Sequence, residues 1–85
     1  SMTQAQEDVV GLVRTLVEQL VDTPESVEVT GRESDNGDLY VEIDVEEDEV
    51  GKVIGRQGRI IKSIRTLARA AASQDGFRVE VELAE

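Results

Sequence analysis

The residues with the clearest chemical potential run Gly51-Lys52-Val53-Ile54-Gly55-Arg56-Gln57-Gly58-Arg59-Ile60-Ile61-Lys62-Ser63-Ile64-Arg65, and their chemistry is the holding of a phosphate. Six basic residues (Lys52, Arg56, Arg59, Lys62, Arg65, Arg69) and no acid lie between Gly51 and Gln74, while the rest of the chain sets three basic residues against nineteen acids. The net charge of −10 therefore divides into +6 in this stretch and −16 outside it. Such asymmetry is the electrostatic footprint of a chain that meets a polyanion. Gly55 and Gly58 bracket two polar residues between apolar patterns, which suits a tight turn joining a short helix to a longer one. Glycine there supplies unusual dihedrals and removes the Cβ atoms that would hold a ligand's backbone away. The longer helix begins at about Gly58, so its unpaired N–H groups and positive dipole end face the turn, where a phosphate fits.

In this arrangement Lys52, Arg56 and Arg59 neutralise phosphates, with a contribution that weakens as salt rises. Gln57 donates a hydrogen bond without charge, and the backbone N–H groups of Arg56, Gln57 and Gly58 are the remaining donors. At roughly 100° per residue, Ile60, Ile61, Ile64, Leu67, Ala68 and Ala71 share one side of the longer helix, and Arg59, Lys62, Arg65 and Arg69 lie opposite. Arg59 and Lys62 are near enough to the turn to contact a ligand. Arg65 and Arg69, further along, are assigned to solvent or to an acidic partner surface.

Other chemistries have little to work with. Without histidine or cysteine, the chain lacks the commonest general base, the commonest metal ligand and any thiolate site. Glu46-Glu47-Asp48-Glu49 has the oxygen ligands a hard cation takes, but no glycine-punctuated ligand loop, and reads as a solvated run leading into the short helix. No G-x-x-x-x-G-K-[ST] nucleotide loop occurs. Gly51 to Gly55 is formally G-x-x-x-G, without the apolar segment that gives that pattern its membrane meaning. No cofactor, metal, catalytic residue or small-molecule substrate is predicted.

The elements that must position the turn are legible from periodicity. Thr3-Gln4-Ala5-Gln6 has the form of a capping box, and Val9, Leu12, Val13, Leu16, Val17 and Leu20 recur at helical spacing, predicting a helix from about Gln4 to Val21 that ends at Asp22-Thr23-Pro24. Val10, Val17 and Val21 widen its apolar stripe, either for deeper burial or to meet a partner. Val27–Thr30 and Leu39–Val45 alternate as strands around Asn36-Gly37, a hairpin signal. Phe77, Val79, Val81 and Leu83 alternate in a third strand. One sheet face is covered and the other wet. The wet face carries Glu28, Glu42, Asp44, Glu80 and Glu82 with Tyr40 as its one aromatic, so it repels phosphate and leaves binding to the helical side. Eighty-five residues make one small domain. Ser1 reads as a tag remnant before the start Met2, and residues 3–85 as the domain. No signal peptide or apolar run of membrane length is present, which predicts a soluble cytoplasmic protein.

Val53-Ile54-Gly55-Arg56-Gln57-Gly58-Arg59-Ile60-Ile61 resembles the GXXG signature of the KH domain. With Gly51-Lys52 before it and Ile64-Arg65-Thr66-Leu67-Ala68-Arg69-Ala70-Ala71-Ala72 after it, the chain is similar, from about Glu7 to Glu82, to the small bacterial single-KH proteins of the KhpA type. The resemblance implies an α+β fold of two layers, the type II KH order α-β-β-α-α-β, with a three-stranded sheet covered on one face by three helices and the strand order open. It implies binding of single-stranded RNA, about four nucleotides clamped at the loop, with Val53, Ile54 and Ile61 as candidates to line the base groove; Ile61 equally fits the core. It further implies a post-transcriptional regulator or RNA chaperone, and a homodimer or a heterodimer with a larger KH-containing protein. Two alternatives stay open at this point: a protein-assembly module with weak RNA binding, favoured by the overall acidity, and single-stranded DNA in place of RNA.

Overall fold

A computed structural model describes residues Ser1–Glu85. The first helix, α1, spans Gln4–Glu18 and opens with the expected capping box: the Gln6 N–H donates to Thr3 Oγ1 and the Thr3 N–H donates to Gln6 Oε1. It ends earlier than the apolar spacing predicts. The chain tightens through a Leu20 N–H bond to the Val17 carbonyl, then folds back so that Val21 is still buried. Periodic burial thus continues past the end of the helix.

Strands β1 (Glu28–Glu33) and β2 (Leu39–Asp44) pair antiparallel across the hairpin, and β3 (Val79–Leu83) joins β2 in parallel, giving the order β1-β2-β3. A parallel pair needs a crossover. Here that crossover holds the helices α2 (Val50–Ile54) and α3 (Arg59–Gln74) and the turn between them. The element order is the one expected.

Alternation sets the two sheet faces. Val29, Leu39, Val41, Ile43, Val79 and Val81 point into a core completed by Val9, Val10, Val13 and Val17 of α1, Val53 of α2 and Ile61, Ile64, Ala68 and Ala72 of α3. Val10 and Val17, which widened the stripe of the first helix, are core residues. Gly31 lies on the covered face where α1 comes closest: a Cβ there would stand 2.5 Å from Val10 Cγ2. Leu67, placed by its angle on the apolar side of α3, is 50 % exposed, because it stands at the edge of the stripe beyond the reach of α1 and the sheet.

The open face differs from expectation at one end. Register aligns Glu28 with Asp44, and Thr30 with Glu42 and Glu82, so two rows are acidic. β1, however, extends three residues beyond Thr30 and brings Arg32 opposite Tyr40, with the guanidinium carbon 4.7 Å from the ring centroid.

Candidate nucleic-acid interface

The approach to the turn is anchored by a carboxylate. Glu49, expected in a solvated acidic run, is buried, whereas Glu46, Glu47 and Asp48 are exposed. Where the chain doubles back after α1, the N–H groups of Asp22 and Thr23 lack helical partners, and Glu49 accepts from them at 2.6 and 3.1 Å as well as from the Thr23 hydroxyl. Lys52 completes the cluster, 3.2 Å from Glu49 Oε1 and 2.8 Å from Asp22 Oδ2. The Thr23 hydroxyl and the Asp22 N–H hold the Glu49 carboxyl down at about 2, and Asp22, then Glu49, raise the Lys52 ammonium above its ordinary value.

A pH dependence follows. A depressed carboxyl pKa stabilises the fold above the unfolded value of 4.5 and loses that contribution as pH falls toward about 2. Thermal melts of Glu49→Gln should therefore lie several degrees below those of the parent chain near neutrality, with the gap narrowing across that acid window. An unchanging gap would mean that the charge of Glu49 contributes nothing.

The turn itself is held by backbone geometry. The Gly55 N–H closes α2 onto the Gly51 carbonyl at 2.9 Å. Gly55 (φ 75°, ψ 173°), Gln57 (φ 58°, ψ 23°) and Gly58 (φ 74°, ψ 16°) all have positive φ. Gln57 is the one non-glycine residue in the chain to do so. The Gly58 N–H, expected as a phosphate donor, bonds the Gly55 carbonyl at 3.1 Å, and the Arg59 N–H bonds the Arg56 carbonyl. Neither of these bonds uses the N–H groups of Arg56 and Gln57, the first two residues of the turn. Successive N–H groups in such a turn form an anion-binding concavity.

The basic residues separate into engaged and free. Lys52 is tied to Asp22 and Glu49. Arg65, assigned from sequence to solvent or a partner, instead donates through Nε to the Val81 carbonyl at 2.9 Å and pairs with Glu82 at 3.3 Å, fastening α3 to β3. Arg56, Arg59 and Lys62 are exposed, with no carboxylate within 4.0 Å. These three cations and Gln57 lie in the turn or in the first residues of α3 that follow it, with Lys62 Cε 3.9 Å from the position of a Cβ at Gly58. Of the apolar groove candidates, Val53 is fully buried and Ile61 nearly so, while Ile54 is half-buried beside the turn. Val53 and Ile61 are therefore core residues with little or no surface to offer a base, and Ile54 is the candidate that keeps some.

Residues 11–83 match the family model described as KhpA/KhpB, KH domain. The RNA-binding protein KhpA of Caldanaerobacter subterraneus subsp. tengcongensis is 45 % identical over 75 residues, covering 85 % of this chain and 95 % of that protein. RNA-binding protein KhpA of Listeria monocytogenes is 40 % identical over 74 residues, covering 87 % and 96 %. Among solved structures, Era in complex with MgGDPNP and nucleotides 1506–1542 of 16S ribosomal RNA superposes with a TM-score of 0.62 at 26 % identity, covering 88 % of this chain and 28 % of that one.

Proposed function

The chain belongs to the KhpA/KhpB KH-domain family, and on that premise we propose that it binds single-stranded RNA at the Gly55–Gly58 turn, without catalysis. The observation that carries this reading is the concentration, in a chain of net charge −10, of three cations outside any ion pair at one exposed glycine turn of positive φ. Arg56, Arg59 and Lys62 hold phosphates, and the Gln57 side chain and the N–H groups of Arg56 and Gln57 supply donors. Lys52 contributes less, because binding a phosphate competes with Asp22 and Glu49. Base contacts fall to Ile54 and the adjoining groove.

The same premise supports a role in cytoplasmic RNA metabolism, as a post-transcriptional regulator or RNA chaperone, working as a homodimer or beside a larger KH-containing protein. No helix is long and apolar enough to cross a membrane, and exposed Leu67 on α3 offers an apolar contact for a second subunit.

Backbone amide NMR during titration with short single-stranded RNA pools tests the binding site. Shifts should concentrate between Lys52 and Lys62, and affinity should fall with salt at a log–log slope of about −0.7 per phosphate contact. Silence at millimolar RNA from a folded protein would refute the reading. A parallel titration with DNA of the same sequence decides whether a 2′-hydroxyl is read.

A further inference from the structure

We propose that the corner where the β1–β2 hairpin meets the end of α3, built from Arg32, Tyr40, Arg69, Phe77 and Arg78, is a second nucleic-acid contact, taking a further nucleotide of the strand clamped at the Gly55–Gly58 turn. It rests on the reading of that turn as an RNA clamp.

The chain has one tyrosine, one phenylalanine and no tryptophan, and both aromatics stand at this corner, whereas the clamp has none. Tyr40 lines an open cleft of about 760 Å³ with Arg32, Arg69 and Arg78. Phe77 lines a neighbouring cleft of about 440 Å³ on which Arg69 and Arg78 also border. The two arginines thus stand between two half-buried rings. Aromatic faces that stack bases, interleaved with cations that take phosphates, are what single-strand binders present.

The cations are also free. Asp35, Asp38 and Glu80 rim the larger cleft, yet none lies within 4.0 Å of a charged nitrogen of Arg32, Arg69 or Arg78. Arg32 lies over Tyr40, so the ring holds the guanidinium plane in place and a base stacks on that plane.

The path between the two sites runs along α3, with Lys62 as its free cation, since Arg65 is held by the Val81 carbonyl and Glu82. Lys62, Arg65 and Arg69 fall on one side of α3, and Arg65 marks that side as the one running beside β3. From Arg59 to Arg69 the helix rises about 15 Å. A strand must therefore exceed the roughly four nucleotides of the clamp to touch both sites. Two contacts on one strand add avidity without any new affinity at the clamp.

The test compares a tetramer and a dodecamer of one single-stranded RNA sequence, followed by amide shifts and affinity. The dodecamer should bind at least about tenfold more tightly and should shift Arg32, Tyr40, Arg69, Phe77 and Arg78 as well as the turn; the tetramer should shift the turn alone. Arg69→Gln with Arg78→Gln, two exposed side chains outside every ion pair and hydrogen bond, should remove the dodecamer's advantage and leave tetramer binding unchanged. Tyr40→Leu should do the same through loss of the ring. Dodecamer shifts confined to the turn, or equal weakening of both lengths by the double substitution, would overturn the second contact while the clamp stands. Shifts at the corner alone would overturn the clamp, and with it the shared strand. Silence at both would overturn both.

Discussion

Arg56→Asp combined with Gln57→Asp is expected to leave the chain folded and to weaken single-stranded RNA binding by roughly ten- to a hundredfold or more. Folding survives because both side chains are exposed and make no hydrogen bond or ion pair. Aspartate also tolerates the positive φ that Gln57 adopts. Binding fails for an electrostatic reason. The change removes one positive charge and adds two negative ones, a net shift of −3, at the centre of a turn flanked by Arg59 and Lys62, in a chain whose remaining charge already repels RNA. Losing one charge-assisted phosphate contact costs about 1.5–3 kcal/mol, and repulsion by two new carboxylates adds to it. Amide shifts on RNA addition should vanish from the turn while the dispersion of the free spectrum is retained. Wild-type affinity in the double variant would mean that the phosphates lie elsewhere.

The two glycines should behave differently from each other. Gly55→Ala is expected to destabilise the fold by roughly 2–5 kcal/mol, a sum of backbone strain and overpacking. At φ 75° and ψ 173° Gly55 occupies a region that is almost exclusive to glycine. A Cβ there would stand 2.5 Å from Ile60 Cγ1 and 2.9 Å from its Cβ, so the helix start itself would have to move. Gly58 is left-handed but open, with Lys62 Cε at 3.9 Å as the nearest atom to an added Cβ. Gly58→Ala should cost only about 1–2 kcal/mol, and Gly58→Asn less, since asparagine enters that region readily. Urea unfolding of the three variants measures the contrast. Equal losses at the two positions would show that φ alone matters, and that contact with Ile60 does not. Against a typical total stability of about 5–15 kcal/mol, the Gly55 change alone removes a substantial part of the margin.

These effects were unequally visible in the chain. The turn between Gly55 and Gly58, the capping box at Thr3 and the alternation of β2 are local patterns. Each is read from residues within a few positions of one another, and each is present in the structure. The early end of α1 was hidden because Val21 stays buried after the helix has ended, so spacing could not mark the boundary. The Arg32–Tyr40 contact on the open sheet face was hidden because β1 runs on through Gly31 and Arg32, residues that carry no apolar alternation. Glu49 gave no signal: a carboxylate in an acidic run is ordinarily solvated, and nothing nearby in sequence announces the N–H groups that need it.

By itself, then, the order of residues determined the element types, the covered face of the sheet, the glycine turn and the concentration of positive charge around it, since hydrophobic period, capping and glycine spacing act over a few residues. Only the tertiary structure decided which of those charges are free. Lys52 meets Asp22 across thirty positions, Arg65 meets Glu82 across seventeen and Arg32 comes to lie over Tyr40, and such pairings depend on how distant segments are brought together, which no local period encodes. The Gly58 N–H was likewise decided by the closed turn, which turns a candidate ligand donor into part of its own scaffold.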